Sequence, residues 1–349
     1  MSTDDKARAA NIFDVARLAG VSHQTVSRVV NNLPNVRPAT RLRVEDAIKQ
    51  LRYRPSTAAR SLVTRRSRTI GLITTGNPDY GPSSTLLGFN EAARQARYLV
   101  SISSMLETDA ASMRQAVELL LSQNVEGIVL IAAHRGAIEA IQGIDLGVPL
   151  VAVESSGRVG FHSVSINQFE GAYNATRHLI ELGHRRIIHV AGPDDSMDAT
   201  ERVRGWRSAL AENGLVALEP LVGDWSPASG YRIGQRIAES LDTTLECTAI
   251  FSGNDQMALG LMHALSQAGI RVPQDVSVIG FDDIPEAEHF SPPLTTIRQD
   301  FAELGRTVMS TLLELMLDGT LEEAPHPIPH LVARESTGPL PPSKTAPKL

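Results

Sequence analysis

Two groups of residues in this chain have types and spacing suited to chemistry. The first is compressed into a few positions: Ser22, His23, Gln24, Thr25, Ser27 and Arg28. Residues three and four apart share a helix face, so on a helix His23, Gln24, Ser27 and Arg28 point the same way. Gln is shaped to bond adenine N6 and N7, Arg to bond guanine O6 and N7, and a Thr methyl to touch thymine. A polar helix face in water would show the same pattern, and periodicity does not choose between the two. The second group is scattered: Glu154, Arg202, Trp225, Asn254 with Asp255, and Asp282 with Asp283. Carboxylates accept hydrogen bonds from hydroxyls, Arg donates them, and an indole stacks on a C–H face. That set describes a site for a polyhydroxylated ligand, provided something brings the residues together. Singly, each has a plainer role: Asp255 as a helix N-cap, Asp283 in a turn, Glu154 on the surface. Trp206 reads as a core residue.

The first group requires a helix, and the local signals supply one. Asn11 and Asp14 have the spacing of a capping box, and Ile12, Val15, Ala16 and Ala19 repeat at helical spacing. Gly20 is a helix stop, and Ser22 is an N-cap for a second helix reaching about Asn31. So short a connection fits a helix-turn-helix, which would aim the first turn of the second helix into a major groove. A third helix is expected from Pro38 to about Leu51, with Val44, Ala47, Ile48 and Leu51 inward.

The second group requires sheets. Apolar β-type runs fall near residues 69–74, 98–103, 126–131, 149–154, 186–191, 247–252 and 276–282. Amphipathic stretches at 85–97, 111–123, 168–182, 199–213, 228–240 and 255–268 alternate with them. That alternation predicts an α/β fold of parallel sheets covered on both faces, and the strands divide naturally into two doubly wound subdomains. Ligands in such folds bind beyond the carboxyl ends of strands. Glu154, Asn254, Asp255, Asp282 and Asp283 all fall at or just beyond the carboxyl ends of expected strands. Arg202 lies a few residues past the Ala191-Gly192-Pro193 strand exit, at the start of a helix, and Trp225 sits in a Gly-Asp-Trp-Ser loop.

The chain has 349 residues, 42% hydrophobic and only 4% aromatic, ample for two or more cores built from small aliphatic side chains. Its charge is divided. Residues 1–68 carry fourteen Lys/Arg against five Asp/Glu, a formal +9; the remainder carries nineteen against thirty-four, or −15. A basic head on an acidic body points to a polyanion as the head's partner. No apolar run approaches a membrane span, the first residues do not resemble a secretory signal, and Cys247 is the single cysteine. The expected location is the cytoplasm, with no membrane partner.

The run from Val15 to Asn31, Val15-Ala16-x-x-Ala19-Gly20-Val21-Ser22-His23-Gln24-Thr25-Val26-Ser27-Arg28-Val29-Val30-Asn31, closely resembles the DNA-binding head of the LacI/GalR repressor family, and the likeness continues through Leu51-Arg52-Tyr53-Arg54-Pro55. The resemblance implies that His23, Gln24 and Arg28 read bases and that Thr25, Ser27 and Asn31 help hold phosphates. Arg37 departs from it, since a small capping residue is common there. Residues 56–63, a plain linker by composition, would be a hinge helix. Ala59 and Leu62 stand in the expected places, and Leu62 would be the wedge between base pairs of the minor groove.

The resemblance extends through the body, on Arg202-x-x-Gly205-Trp206, Gly223-Asp224-Trp225-Ser226, Asn254-Asp255-Gln256-Met257-Ala258-Leu259-Gly260, Gly280-Phe281-Asp282-Asp283 and the run from Pro292 to Asp300. It implies a core of periplasmic-binding-protein type, with an effector held by Glu154, Arg202, Trp225, Asn254, Asp282, Gln299 and Phe301. Glu154 stands where the family's galactoside binder has Asp, Ile131 where it has Asn, and Ile166 replaces an aromatic residue. The implied organisation is a disordered N-terminus (1–10), a helix-turn-helix domain (11–55), a hinge helix and linker (56–68), and an effector core (69–335). Within the core, one subdomain takes about 69–165 and 300–327, the other about 166–299 and 328–335. A Pro-rich tail (336–349) is expected to be disordered, and no heptad repeat for tetramers is present. The implied function is a homodimeric repressor on a near-palindromic double-stranded operator, controlled by a small carbohydrate, with no cofactor and no metal. A purine or other metabolite as corepressor is the alternative. A sugar-processing or dinucleotide-dependent enzyme is the rival from another class. The chain lacks a Walker loop, a G-x-S-x-G elbow, an H-E-x-x-H motif and a G-x-G-x-x-G fingerprint, so the expectation is that it is not an enzyme.

Overall fold

A computed structural model describes residues 10–53, 66–75, 79–106, 108–132, 134–155, 162–241, 247–318 and 326–340. It divides into two compact units, residues 1–68 and 69–349.

The first unit contains three described helices, α1 (Ile12–Ala19), α2 (His23–Val30) and α3 (Pro38–Gln50). The capping box forms in full: the Asn11 side chain accepts from the Phe13 and Asp14 amides at 2.9 and 3.1 Å, and Asp14 accepts from the Asn11 amide at 3.0 Å. Gly20 takes the left-handed φ of 64° that stops α1, and the Ser22 hydroxyl caps α2 through the Thr25 amide. Arg37 offers no side-chain cap to α3, whose start relies on Pro38. Val15, Ala16, Ala19, Val26, Val29, Val44 and Ala47 form one small buried core. The expected hinge helix at 56–63, with Ala59 and Leu62, lies outside the described residues, as do residues 1–9.

The second unit holds two parallel sheets. The first has the order β2-β1-β3-β4-β5, formed by β1 (Thr69–Thr75), β2 (Leu99–Met105), β3 (Ile128–Ile131), β4 (Leu150–Val153) and β5 (His162–Val164). It is covered by α4 (Tyr80–Gln95), α5 (Ala110–Ser122), α6 (Arg135–Ile141) and, from much later in the chain, α11 (Phe301–Asp318). The strand alternation sorts side chains by face: Ile70, Leu72, Val129 and Ile131 pack under α4 and α11, while Ile73, Ile128 and Leu130 pack on the other side with Met113 and Leu120. Gly88 and Gly305 let α4 and α11 cross closely, since a Cβ on either would strike the backbone of the other helix.

The second sheet has the order β7-β6-β8-β9, from β6 (Ile187–Ala191), β7 (Leu221–Val222), β8 (Ala249–Ser252) and β9 (Ser277–Ile279). Around it lie α7 (Gln168–Glu181), α8 (Met197–Glu212), α9 (Pro227–Leu241) and α10 (Asp255–Gln267). The chain passes between the lobes after β5, between β10 (Thr296–Arg298) and α11, and between α11 and β11 (His330–Val332). The last two strands pair antiparallel, and Asn167 donates to the Pro327 carbonyl at 2.9 Å, joining the first crossing to the third.

Every strand region expected from the sequence is found. The short strands β5, β7, β10 and β11 were not expected, nor were α6 and a 3-10 turn at Pro285–His289. The tail requires a correction. Residues 336–340, assigned from composition to a disordered segment, are fixed along the edge strand β9. The Val278 amide donates to the Ser336 carbonyl at 2.8 Å, the buried Ser336 hydroxyl donates to the Val278 carbonyl at 2.6 Å, and Leu340 donates to Leu182 at 3.0 Å. An edge strand leaves backbone groups to be satisfied, and this segment satisfies them; proline content does not reveal that. Among the described residues no helix is long and apolar enough to cross a membrane.

Candidate functional sites

In the first unit, α2 presents His23, Gln24 and Arg28 to solvent, with Thr25, Ser27 and Asn31 partly covered at the flank. The Ser22 and Thr25 hydroxyls lie 3.0 Å apart, and the Asn31 amide donates to the Ser27 carbonyl at 2.9 Å. The helix end therefore holds its polar side chains through its own turns. Two features were not singled out from sequence. The ring of Phe13 is 59% exposed and lies 5.2 Å from that of His23. Arg41 donates to Asn32 and to the Leu33 carbonyl, bracing the loop after α2.

In the second unit, all seven residues proposed for the effector, Glu154, Arg202, Trp225, Asn254, Asp282, Gln299 and Phe301, line one cavity between the lobes, with an enclosed volume of about 90 Å³. Strand exits explain the convergence: Glu154 comes after β4, Asn254 after β8 and Asp282 after β9. Arg202 lies in the second turn of α8, buried, and is held from several sides. Its Nε donates to Gln168 Oε1 at 2.9 Å, one terminal nitrogen donates to the Gly253 carbonyl, and the other sits 3.5 Å from Asp282 Oδ1. Its guanidinium lies 3.9 Å over the Phe281 ring and 5.4 Å from that of Trp225. Gln299 closes the network, donating to Asp282 Oδ1 at 2.6 Å and accepting from Gln168 at 2.9 Å.

Two site residues occupy backbone conformations that disfavour side chains, Trp225 at φ 68° and Asp282 at φ 113°. Such outliers persist where the surroundings over-determine them. The Trp225 indole is wedged between Gly192 and Gly253: a Cβ on Gly192 would run into the ring, and one on Gly253 would lie 3.2 Å from it. Asn254 holds the same loop from below, donating to the Trp225 carbonyl at 3.0 Å. Burial pushes the Asp282 carboxyl up to about 6, against the opposing pull of Arg202 and Gln299.

Three sequence assignments change. Asn254, not Asp255, caps α10, accepting from the Met257 amide at 2.9 Å. Asp255 is buried outside the cavity, bonded to Thr296 and to the Ile284 amide, and burial raises its carboxyl well above the usual range. Glu154 is buried, not a surface residue. Asp283 pairs with Arg298 and Arg334 and faces no ligand space. Trp206 is a core residue, fully buried. Asp79, His134, Gln168, Ser196 and Asp198 also line the cavity and were missed. The strand-exit rule, applied to the residues just beyond β1 and β3, would have found the first two. Asp79 is half-buried, and desolvation raises its carboxyl. Among the described residues no group of three or more His, Cys, Asp or Glu is placed to hold a metal ion.

The cavity thus combines fixed donors and acceptors with flat apolar surfaces at Trp225, Phe301 and Ile131. A basic three-helix unit joined to a two-lobed binding core defines a class, the DNA-binding regulator with an effector domain. The comparisons agree part by part: residues 11–56 match the profile described as bacterial regulatory proteins, lacI family, and residues 176–337 match a periplasmic binding protein-like domain. The lactose operon repressor of Escherichia coli (strain K12) is 36% identical over 310 residues, 88% of this chain and 85% of that repressor. The crystal structure of the lac repressor dimer bound to operator and the anti-inducer ONPF superposes with a TM-score of 0.86 at 34% identity, covering 95% of this chain and all of that one. A transcriptional regulator CelR–cellobiose complex superposes at 0.68 with 32% identity, covering 94% and 99%. This chain belongs to the LacI family of DNA-binding transcriptional regulators. The relatives it matches are regulators, not enzymes.

Proposed function

We propose that the protein is a repressor that binds a near-palindromic operator as a homodimer and whose grip is controlled by a small carbohydrate, a galactoside or other glycoside, in the cleft. The carrying observation is the buried Arg202–Asp282–Gln299 network beside the clamped Trp225 indole. It presents directional hydrogen bonds beside an aromatic face, the two surfaces a sugar ring offers. Glu154 accepts from a hydroxyl, Asn254 and Gln299 hold the polar wall, and Phe301 closes the apolar side. A similar regulator takes cellobiose, by the words describing its complex. Ile131 and Ile166, both buried, make the first-lobe wall more apolar than a galactoside site, which favours a substituent with a hydrophobic aglycone face.

On DNA, His23, Gln24 and Arg28 read base edges, with Ser22, Thr25, Ser27 and Asn31 on the phosphates. Ala59 and Leu62 belong to the hinge segment that enters the minor groove. The effector changes operator affinity only by its differential affinity for two arrangements of the lobes. The test is a thermal-shift screen of galactosides, glucosides and purines, followed by operator titration at fixed salt with each hit. A glycoside that both stabilises the protein and shifts operator affinity is expected. A purine that alone does both would replace the carbohydrate with a corepressor. Absence of any preference among duplexes would overturn the repressor itself.

A further inference from the structure

Beside the cavity, the loop after β6 and the first turn of α8 reach out of the second lobe into the first. Met197, the first residue of α8, is 4% exposed, and the core that buries it is the first lobe's, with Ile73, Met113, Leu130 and Ile138. Next to it, Ser155 of the first lobe donates to Asp198 Oδ1 at 2.6 Å. The Asp195 carbonyl accepts from the Arg135 amide at 3.1 Å, and His134 Nδ1 lies 3.5 Å from Asp195 Oδ2. Arg135 opens α6, so its N–H has no acceptor within its own helix. The other lobe supplies one. In the reverse direction, Tyr80 at the start of α4 packs against the second lobe's core.

We propose that residues 195–198 form a latch across the cleft, with Met197 as its tongue, and that this latch holds the two lobes in register by the protein's own contacts. An apolar side chain lodged in the neighbouring lobe must be withdrawn into water whenever the cleft opens, and the Arg135 amide and Asp198 carboxylate lose their partners in the same motion. Because α8 also carries Arg202, the latch fixes the height at which the guanidinium stands over the cavity. It therefore sets how often the cleft opens, and with it the apparent affinity for any occupant. The latch stands independently of what that occupant is.

The Arg135 amide is the direct probe. Hydrogen exchange on the full chain, with no added sugar, compares the parent with Met197→Ala, Met197→Leu and Ser155→Ala. Local opening should be separable from global unfolding. Met197→Ala is expected to speed exchange at Arg135 by about tenfold or more, with amides of the central strands β1 and β6 unchanged, since truncating a buried Met removes most of the tongue. Met197→Leu, which keeps the volume, should restore protection. Ser155→Ala, a milder change that does not threaten folding, should give a smaller acceleration at the same amide. Unchanged exchange at Arg135 in Ser155→Ala, or acceleration spread equally over both sheets in Met197→Ala, would overturn the latch.

Discussion

The Arg202–Asp282 pair allows a prediction with its size and its pH dependence both set by the structure. Asp282 is buried and its carboxyl is pushed from 3.8 to about 6. The folded state therefore holds this proton more tightly than the unfolded chain. Stability from this group is fully present below about pH 4 and is lost as pH rises through about 6, by about 3 kcal/mol in all. Arg202 limits that loss by stabilising the ionised form. In Arg202→Ala the carboxylate has no cation, while the Gly253 carbonyl and Gln168 Oε1 lose their donor. Breaking a buried pair in this way costs about 3–5 kcal/mol while the survivor is charged. The Asp282 pKa should climb further, so the decline in stability continues above pH 6. Urea unfolding followed by the fluorescence of Trp206 and Trp225, both in the second lobe, gives the assay. Arg202→Ala should lose about 3–5 kcal/mol at pH 7.5 and clearly less at pH 5, where Asp282 is protonated in the variant. Adding Asp282→Asn should recover part of the loss at pH 7.5 and flatten the difference with pH. An identical loss at both pH values, with no recovery in the double variant, would refute the reasoning.

Further outcomes are open to measurement. Arg28→Ala should relax sequence preference at one position of each half-site, by about 1–3 kcal/mol of discrimination, in titrations of operator variants at fixed salt; an unchanged preference would remove Arg28 from the base-reading set. Gly192→Ala drives a methyl into the Trp225 indole, so it should destabilise by about 1–3 kcal/mol and abolish the thermal shift produced by whichever glycoside stabilises the parent. Ser336→Ala strips the Thr295 amide of an acceptor that holds it at 2.8 Å and the Val278 carbonyl of a donor. It should cost about 1–3 kcal/mol in the same urea assay, whereas a neutral result would mean that the Ser336 hydroxyl contributes nothing to holding the segment beyond β11 on the second lobe.

Much of this protein is written locally. Asn11, Gly20 and Ser22 determine where the first two helices begin and end, because caps and left-handed stops act between residues a few positions apart. The exposed polar face of α2 is set by those boundaries alone. Apolar runs such as Ile70 to Ile73 and Ile128 to Ile131 determine strands buried on both faces, for a run without polar alternation cannot face water on either side. Strand exits then mark Glu154, Asn254 and Asp282 as neighbours of a common ligand space. Tertiary structure alone decided what depends on partners distant in the chain. Asp255 and Asn254 are adjacent polar residues at a helix start, and only the approach of Thr296 and Ile284 separates a buried structural carboxylate from a cap at the cavity wall. Met197 belongs to a helix of one lobe and to the core of the other, which no periodicity within α8 can express. Residues 336–340 carry no pattern of their own; the open edge of β9 gives them one. In each case the deciding contact spans dozens of residues of chain, and its energy comes from groups the local sequence does not contain.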